Sequence, residues 1–240
     1  MVHGGIGSSM PEPAASLYRL LAWLSPSFPV GAFSYSHGIE AAVEAGRVRD
    51  AATLAGWIGA IVRHGAGRID ADLFRDAHRA AAADDVAALD AITVRADIHR
   101  GTAETALESR AQGTAFLATC RAAWPDPFLD EWAAALAALE RPPAYAVAVA
   151  VAAARGGVAL TAALTAYLHA VAANLVSAGV RLIPLGQTDG QRVLRALEPA
   201  VHDSVTACLS RDPRDFGGCA FAVDLSSIDH ETQYTRLFRS

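Results

Sequence analysis

Residues 181–194, RLIPLGQTDGQRVL, end a long apolar run and open a more polar segment. The 25 residues before them, Gly156 to Val180, contain no Asp, Glu, Lys or Arg. Pro184, Gly186 and Gly190 then interrupt the pattern, and VLRALEPAV resumes a helical spacing. The stretch therefore predicts an apolar helix that ends in a sharp turn and restarts at once as a second helix.

The glycines of this turn first suggest a phosphate-binding loop. Such a loop has four residues between its glycines, followed by Lys and then Ser or Thr. Here three residues separate Gly186 from Gly190, Gln191 follows, and the carboxylate of Asp189 would repel a phosphate. The favoured interpretation is a helix–helix corner in which residues 187–189 cap the second helix.

The apolar run is long enough to cross a membrane, so its patterning decides between a membrane span and a core helix. At the helical period one face carries the large apolar residues Leu160, Leu164, Leu168, Val171 and Leu175. An adjacent stripe carries Thr161, Thr165 and His169. This amphipathic arrangement predicts a helix in the core of a helical domain and no membrane span.

Alanine-rich segments separated by Pro and Gly breaks fill the rest of the chain, of which 52% is hydrophobic. Tyr145–Val151 alternates with alanine, but alanine favours a helix there. The pattern predicts an all-α fold, a single-domain helical bundle of about eight to ten helices with mobile termini. We expect a disordered lead at 1–13, a domain at 14–225 and a tail at 226–240.

Three local expectations follow from capping residues. Ser34 predicts the N-cap of a second helix, which places His37 and Gly38 one turn inside it. Gly46 fits the end of that helix, and Asp50 fits the N-cap of the third. Near the carboxyl end, residues 219–224 (CAFAVD) read as a short apolar piece before the polar tail.

Composition excludes several classes of function. All 20 basic residues are Arg, which removes lysine-based nucleophiles, lysine general bases and phosphate-loop lysines. The net charge of −5 and the lack of a basic block argue against a nucleic-acid partner. Cys120, Cys208 and Cys219 are an odd, widely spaced set, which indicates a reduced, cytoplasmic protein.

No catalytic or metal motif emerges. Ser36 is followed by Gly38 but preceded by Ser34, so it does not form a nucleophile elbow with His37. The eight His and three Cys residues fall in no metal-ligand spacing. Aromatic and arginine residues near both ends instead favour a binding or assembly protein.

Three segments carry a resemblance that spans nearly the whole chain: residues 20–48 (LLAWLSPSFPVGAFSYSHGIEAAVEAGRV), 181–199 (RLIPLGQTDGQRVLRALEP) and 230–240 (HETQYTRLFRS). In this order they resemble the signatures of the urease accessory protein UreF family. The resemblance implies a cytoplasmic, often homodimeric all-α chaperone that is not an enzyme and needs no cofactor. It implies a complex with UreD (called UreH in some organisms) and the GTPase UreG, which supports GTP-dependent nickel insertion into apo-urease.

The resemblance also implies which residues contact partners. They are Phe33, Ser34, Tyr35, Glu40, Arg181, Gly186, Gln187, Asp189, Gln191, Glu231, Gln233, Tyr234, Arg236 and Arg239. The sequence departs from the family pattern at Thr114, where an arginine usually follows Gly113, and at Ala146, where proline is frequent. Residues 1–13 have no counterpart, so Met10 is an alternative start.

Two other functions remain open. The chain could carry nickel directly on its His and Cys residues, or it could be a small-molecule enzyme with an acid–base pair hidden in an all-α fold. The first predicts tight stoichiometric Ni²⁺ binding by the isolated protein, and the second predicts an acid–base pair in a pocket.

Overall fold

The computed structural model describes residues 13–240 as twelve α-helices with short connections. They are α1 Pro13–Trp23, α2 Ile39–Glu44, α3 Ala51–Arg63, α4 Ala66–Ala82, α5 Val86–Ile98, α6 Ala103–Ala123, α7 Pro127–Ala138, α8 Tyr145–Arg155, α9 Leu160–Leu182, α10 Gln187–Ala196, α11 Glu198–Ser210 and α12 Phe221–Glu231. Two 3₁₀ helices, Ala32–Ser34 and Pro213–Asp215, lie between them. Residues 13–240 contain no strand, so the all-α prediction is confirmed.

Helix α8 is the centre of the bundle. Its residues 146–153 are all buried, and it packs mainly against α4 and α6. Gly113 lets α6 approach the segment that leads into α8, because a Cβ there would lie 2.1 Å from the carbonyl oxygen of Pro143. The helix prediction for Tyr145–Val151 is confirmed, and the small alanines explain how neighbours reach α8 from every side.

Helix α9 is the amphipathic core helix that its pattern predicts. It is long and apolar enough to cross a membrane by length and composition, but it packs against α3, α4, α8, α10 and α11. Leu164, Leu168 and Leu175 are buried, whereas Thr161 and His169 face solvent. Its apolar residues therefore stabilise the bundle interior.

Two of the capping predictions are confirmed and one is wrong. Asp50 caps α3 by accepting a hydrogen bond from the Thr53 amide at 2.8 Å, and Gly46 follows the end of α2 with a φ of 70°. Ser34 does not begin α2, because His37 and Gly38 have φ values of 56° and 75°. These left-handed residues cannot lie inside a right-handed helix, so α2 begins only at Ile39.

The carboxyl-terminal segment contains a helix that the sequence pattern does not indicate. The expectation of only a short apolar piece at residues 219–224 is wrong, since α12 covers Phe221–Glu231. This helix faces the bundle with Val223, two serines and His230, and it leaves Phe221 largely exposed and Leu225 and Ile228 about half exposed. Its polarity is therefore the reverse of an ordinary amphipathic helix, which hides its period from sequence analysis.

Helix α12 spans the boundary proposed at residue 226, and residues 232–240 lie back against α2 and α6. Residues 1–12 of the predicted lead, including the alternative start at Met10, are outside the described part of the chain.

Candidate partner-binding site

The last residues of the chain pair with the segment before α2. The Arg239 amide donates to the Ser34 carbonyl oxygen at 2.8 Å, and the Ser36 amide donates to the Ser240 main-chain oxygen at 2.6 Å. The Ser36 hydroxyl donates to that same oxygen at 2.5 Å. Segments about two hundred residues apart in sequence are thus joined by main-chain hydrogen bonds.

Glu40 in the first turn of α2 is the central acceptor for the tail. Its Oε1 accepts from the Leu237 amide at 2.7 Å, and its Oε2 accepts from the Phe238 amide at 2.9 Å. Its Oε2 also lies 3.2 Å from Nε2 of the buried His230. A buried carboxylate with several donors stabilises the docked conformation and would be costly to leave unpaired.

The turn at residues 37–38 makes this approach sterically feasible. Gly38 has a left-handed φ, and a Cβ there would lie 2.8 Å from the main-chain nitrogen of Ser227 in α12. The hydroxyl group of Ser227 forms a hydrogen bond with the hydroxyl group of Thr102, the N-cap of α6, at 2.8 Å. Glycine is needed at position 38 for both its conformation and its lack of a side chain.

Helix α6 supplies two more carboxylates to the tail. Glu104 Oε2 lies 2.8 Å from His230 Nδ1, and Glu104 Oε1 accepts from Arg236 Nη1 at 3.0 Å. One turn later, Glu108 Oε2 lies 3.3 Å from His37 Nδ1 and accepts from the Ser240 hydroxyl at 3.2 Å. Both carboxylates therefore bind residues from outside their own helix.

These ionisable side chains form what we call the tail cluster, which consists of His37, Glu40, Glu104, Glu108, His230 and Arg236. Within it, burial alone lowers the pKa of His37, but the hydrogen bond and negative charge of Glu108 outweigh burial, and the pKa is raised. Asp70 adds to the increase and Arg100 opposes it.

Arg181 joins α9 to both ends of the chain. Its Nη2 donates to the Phe33 carbonyl oxygen at 2.7 Å, and its guanidinium lies 4.3 Å from the ring centroid of the buried Phe238. Two turns earlier in α9, Asn174 donates to the Ala32 carbonyl oxygen at 3.0 Å. Partial burial lowers the pKa of Arg181. This cation–π contact and the hydrogen bonds bring together the three sequence segments singled out above.

Sequence comparison relates the chain to known proteins. A family model described as UreF matches residues 48–198, more than half of the chain. A urease accessory protein UreF of Rhodopseudomonas palustris (strain BisB18) is 52% identical over 227 residues, which cover 95% of this chain and 93% of the relative. The chain belongs to the UreF family.

Relatives from other genera match over the same extent. The urease accessory protein UreF of Bradyrhizobium diazoefficiens is 50% identical over 234 residues, 98% of this chain and 96% of the relative. That of Granulibacter bethesdensis is 50% identical over 226 residues, 94% of each chain. These matches include the amino-terminal and carboxyl-terminal segments that lie outside the UreF family model.

The internal UreF motif is mainly a structural corner. Asp189 Oδ2 accepts from the Gly186 amide at 3.2 Å, and Asp189 Oδ1 accepts from Arg192 at 2.6 Å. Arg192 and the Gly186 amide lower the pKa of Asp189. Gln187 and Gln191 are exposed on the first turns of α10. Of the five predicted contact residues in this motif, Arg181 contacts Phe238 of the tail. The other four lie at the turn between α9 and α10: Gly186, Gln187, Asp189 and Gln191.

The remaining predicted contact residues divide into exposed and buried groups. Phe33 and Tyr234 present their rings to solvent, whereas Tyr35 and Glu40 are buried, Glu40 in contact with the docked tail. The arginines Arg236 and Arg239 lie at the surface. Glu231 accepts from the Ala103 amide at 3.3 Å, and Gln233 donates to the Thr235 carbonyl oxygen. Their role in partner binding remains a prediction.

Sequence reasoning missed the residues that hold the tail: Ser36, His37, Glu104, Glu108, His230 and Phe238. Glu104 and Glu108 are four residues apart and thus share a helix face, but nothing in their sequence shows that this face meets the tail. His230 is the first residue of the carboxyl-terminal signature at 230–240, and this position was the sequence signal that could have identified it.

Other chemistry at the described residues is limited. No group of three or more His, Cys, Asp or Glu side chains in residues 13–240 has an arrangement that could hold a metal ion. Burial raises the pKa of Cys120 to about 11 and that of Cys208 to about 12, so both thiols stay protonated. Thr114 is exposed and Ala146 is buried in α8, so the two departures from the family pattern have different surroundings.

Proposed function

We propose that this chain acts in urease maturation as a cytoplasmic chaperone. In this role it is an adaptor that binds UreD (or UreH) and the GTPase UreG, and the complex supports GTP-dependent nickel insertion into apo-urease. Membership of the UreF family and the name of its relatives, urease accessory protein, support the proposal. The adaptor performs no chemical step itself, and GTP hydrolysis belongs to UreG.

The observation that carries the proposal is the exposed apolar surface beside the docked tail. Phe33, Tyr234 and Leu237 are each at least 64% exposed, although they lie in segments whose main chains are fixed by hydrogen bonds. Large exposed side chains on an ordered backbone lose little conformational entropy when a partner covers them. Arg236 and Arg239 add the residue type that is enriched at interface hot spots.

The buried members of the predicted contact set, Tyr35 and Glu40, define a second part of the proposal. Glu40 can meet a partner only after residues 232–240 move, because it accepts hydrogen bonds from the tail main chain, and Tyr35 is buried as well. We therefore assign them the role of positioning the tail, and we assign direct contact to the exposed residues. We also propose a homodimer as the free state, which a size measurement with and without UreD would test.

A pair of tyrosine variants tests the proposed surface. Tyr234→Ala removes a fully exposed ring beside the tail cluster, and Tyr18→Ala removes another exposed, though less exposed, tyrosine ring from α1. We expect Tyr234→Ala to weaken co-purification with UreD by about tenfold or more, as truncation of an interface anchor does. Tyr18→Ala should leave co-purification unchanged, and both variants should keep the wild-type helix content.

Equal recovery of UreD with both variants would contradict the proposed surface. The wider adaptor function has a separate test: co-expression with UreD and UreG, followed by size measurement with and without GTP and nickel. A chain that never joins either protein in that experiment would overturn the function itself. Equilibrium dialysis of the isolated chain against Ni²⁺ would reveal tight stoichiometric binding if it carried nickel directly.

A further inference from the structure

The buried ring of His230 faces a carboxylate on each side. Its Nδ1 lies 2.8 Å from Glu104 Oε2, and its Nε2 lies 3.2 Å from Glu40 Oε2. The ring has no exposure to solvent, so water cannot replace either contact. A neutral imidazole has one N–H donor and one acceptor lone pair, whereas an imidazolium has two donors. Only the protonated ring satisfies both carboxylates at once.

The charge balance around the ring points the same way. From α2 the ring meets Glu40, and from α6 it meets Glu104, which also binds Arg236 of the tail. The one other carboxylate of the tail cluster, Glu108, faces His37. The tail cluster therefore holds three carboxylates and one arginine, and it is neutral only when both histidines are protonated.

The same carboxylates hold the tail. Glu40 accepts from the amides of Leu237 and Phe238, while Glu104 binds Arg236. Loss of the proton from His230 would leave one carboxylate oxygen against a ring lone pair, and the nearby negative charges would repel each other. The tail and the proton on His230 are thus held by one set of contacts.

We propose that His230 is a proton-dependent latch, which holds residues 232–240 against α2 and α6 when its ring is protonated and weakens their docking when the proton is lost. The latch is a regulatory feature beyond the adaptor function and requires no partner. Closing the tail binds a proton, and opening it releases one. By linkage, the ratio of closed to open molecules then falls by up to about tenfold for each pH unit in which the proton is lost.

Hydrogen exchange measures the latch in the isolated protein. The amides of Leu237 and Phe238 donate to Glu40, so their protection reports the closed tail. We expect their protection factors, corrected for intrinsic exchange, to fall by about tenfold or more between pH 6 and pH 8. Constant protection across that range would overturn the proposal.

Matched histidine variants separate the latch from general pH effects. His230→Gln keeps one amide donor and cannot titrate, so the fall in protection should shrink by about tenfold. His169→Gln, at an exposed position of α9, should retain the wild-type fall. An undiminished fall in His230→Gln would refute the role of the ring.

A wild-type measurement covers the case in which His230→Gln does not fold. Nitrogen-15 chemical shifts of the His230 ring distinguish a singly from a doubly protonated imidazole. We expect both ring nitrogens to carry protons at pH 6, while the Leu237 and Phe238 amides are protected. A singly protonated ring in a molecule with a protected tail would overturn the latch.

Discussion

Two ionic clusters, each with buried members, join distant parts of this chain, and they differ in the basic side chains they use. The tail cluster pairs carboxylates with two histidines and one arginine. The second, which we call the arginine cluster, consists of Asp72, Arg75, Asp76, Arg95 and Arg211. It ties α4 to α5 and to the end of α11, and Arg75 Nη1 also donates to the Cys208 carbonyl oxygen at 2.7 Å.

The basic residue type decides whether the charge of a cluster depends on pH. In the arginine cluster, burial lowers the pKa of Arg75, but Asp76 and Asp72 outweigh burial and raise it, so its guanidinium stays charged. Histidine changes charge between about pH 5 and 8. The arginine cluster therefore contains a buried cation that keeps its charge under physiological conditions, whereas the tail cluster contains His37, whose pKa is raised by Glu108.

The largest expected effect comes from breaking the arginine cluster. Arg75→Met would remove a side chain that is 2% exposed and leave the equally buried Asp72 with only Arg211. Loss of one partner of a buried ion pair costs up to about 3–5 kcal/mol of the free energy of unfolding, and Arg75→Met also removes the hydrogen bond to the Cys208 carbonyl oxygen. Urea denaturation monitored by circular dichroism at pH 7 measures this loss.

Arg63→Met is the matched control, because Arg63 pairs with Asp203 at 3.1 Å on the surface. Removal of such an exposed pair should cost only about 0–1 kcal/mol. A difference of less than about 1 kcal/mol between the two variants would show that the arginine cluster does not hold the bundle.

Local signals in the sequence account for most of the fold. The period of α9 and the N-cap at Asp50 act within a few residues, so sequence alone identifies them. The docking of the tail depends instead on contacts such as Glu40 with Phe238, between residues 198 apart in the chain. No local pattern encodes such a pairing, and the reversed polarity of α12 removes the signal that its helix would otherwise give.

The candidate site was therefore predicted in its parts but not in its arrangement. The resemblance identified Phe33, Glu40, Arg181 and Tyr234, which the structure places around one docked tail. It did not separate exposed from buried members, since burial is a property of the folded chain. The turn at Gly38 illustrates the limit, because the lack of space for a side chain there comes from α12, which packs directly against it.

An intermediate loss of stability is expected when a methyl group fills the space between Gly38 and α12. Gly38→Ala would add a methyl group 2.8 Å from the Ser227 nitrogen and require a left-handed alanine. Gly31→Ala requires a similar conformation, but no atom lies within 4 Å of the added methyl group. Gly38→Ala should therefore lower the free energy of unfolding by about 1–3 kcal/mol more than Gly31→Ala does.

Urea denaturation of both glycine variants measures this difference, and hydrogen exchange at the Phe238 amide locates it. Faster exchange only in Gly38→Ala is expected, because displacement of α12 loosens the tail. Equal destabilisation by the two substitutions would mean that conformational strain alone matters and that α12 adjusts freely.

The smallest expected effect is the pH dependence contributed by His37. Its pKa is raised in the folded protein, because Glu108 outweighs burial. A group with a raised folded pKa stabilises the protein below its unfolded pKa of about 6.5, and this stabilisation is lost as the pH rises through the folded value. His37→Asn keeps a residue type that tolerates the left-handed φ of 56° but cannot titrate there.

The pH dependence of the free energy of unfolding must be compared between wild type and His37→Asn, because His78 contributes a pH dependence of the opposite sign. Burial lowers the pKa of His78, although its hydrogen bond to the Val158 carbonyl oxygen opposes the change, so its contribution is lost as the pH falls. We expect wild type to exceed His37→Asn in free energy of unfolding by about 1 kcal/mol more at pH 6 than at pH 8. The same difference at both pH values would show that the His37–Glu108 contact is a neutral hydrogen bond that contributes no pH dependence to the stability.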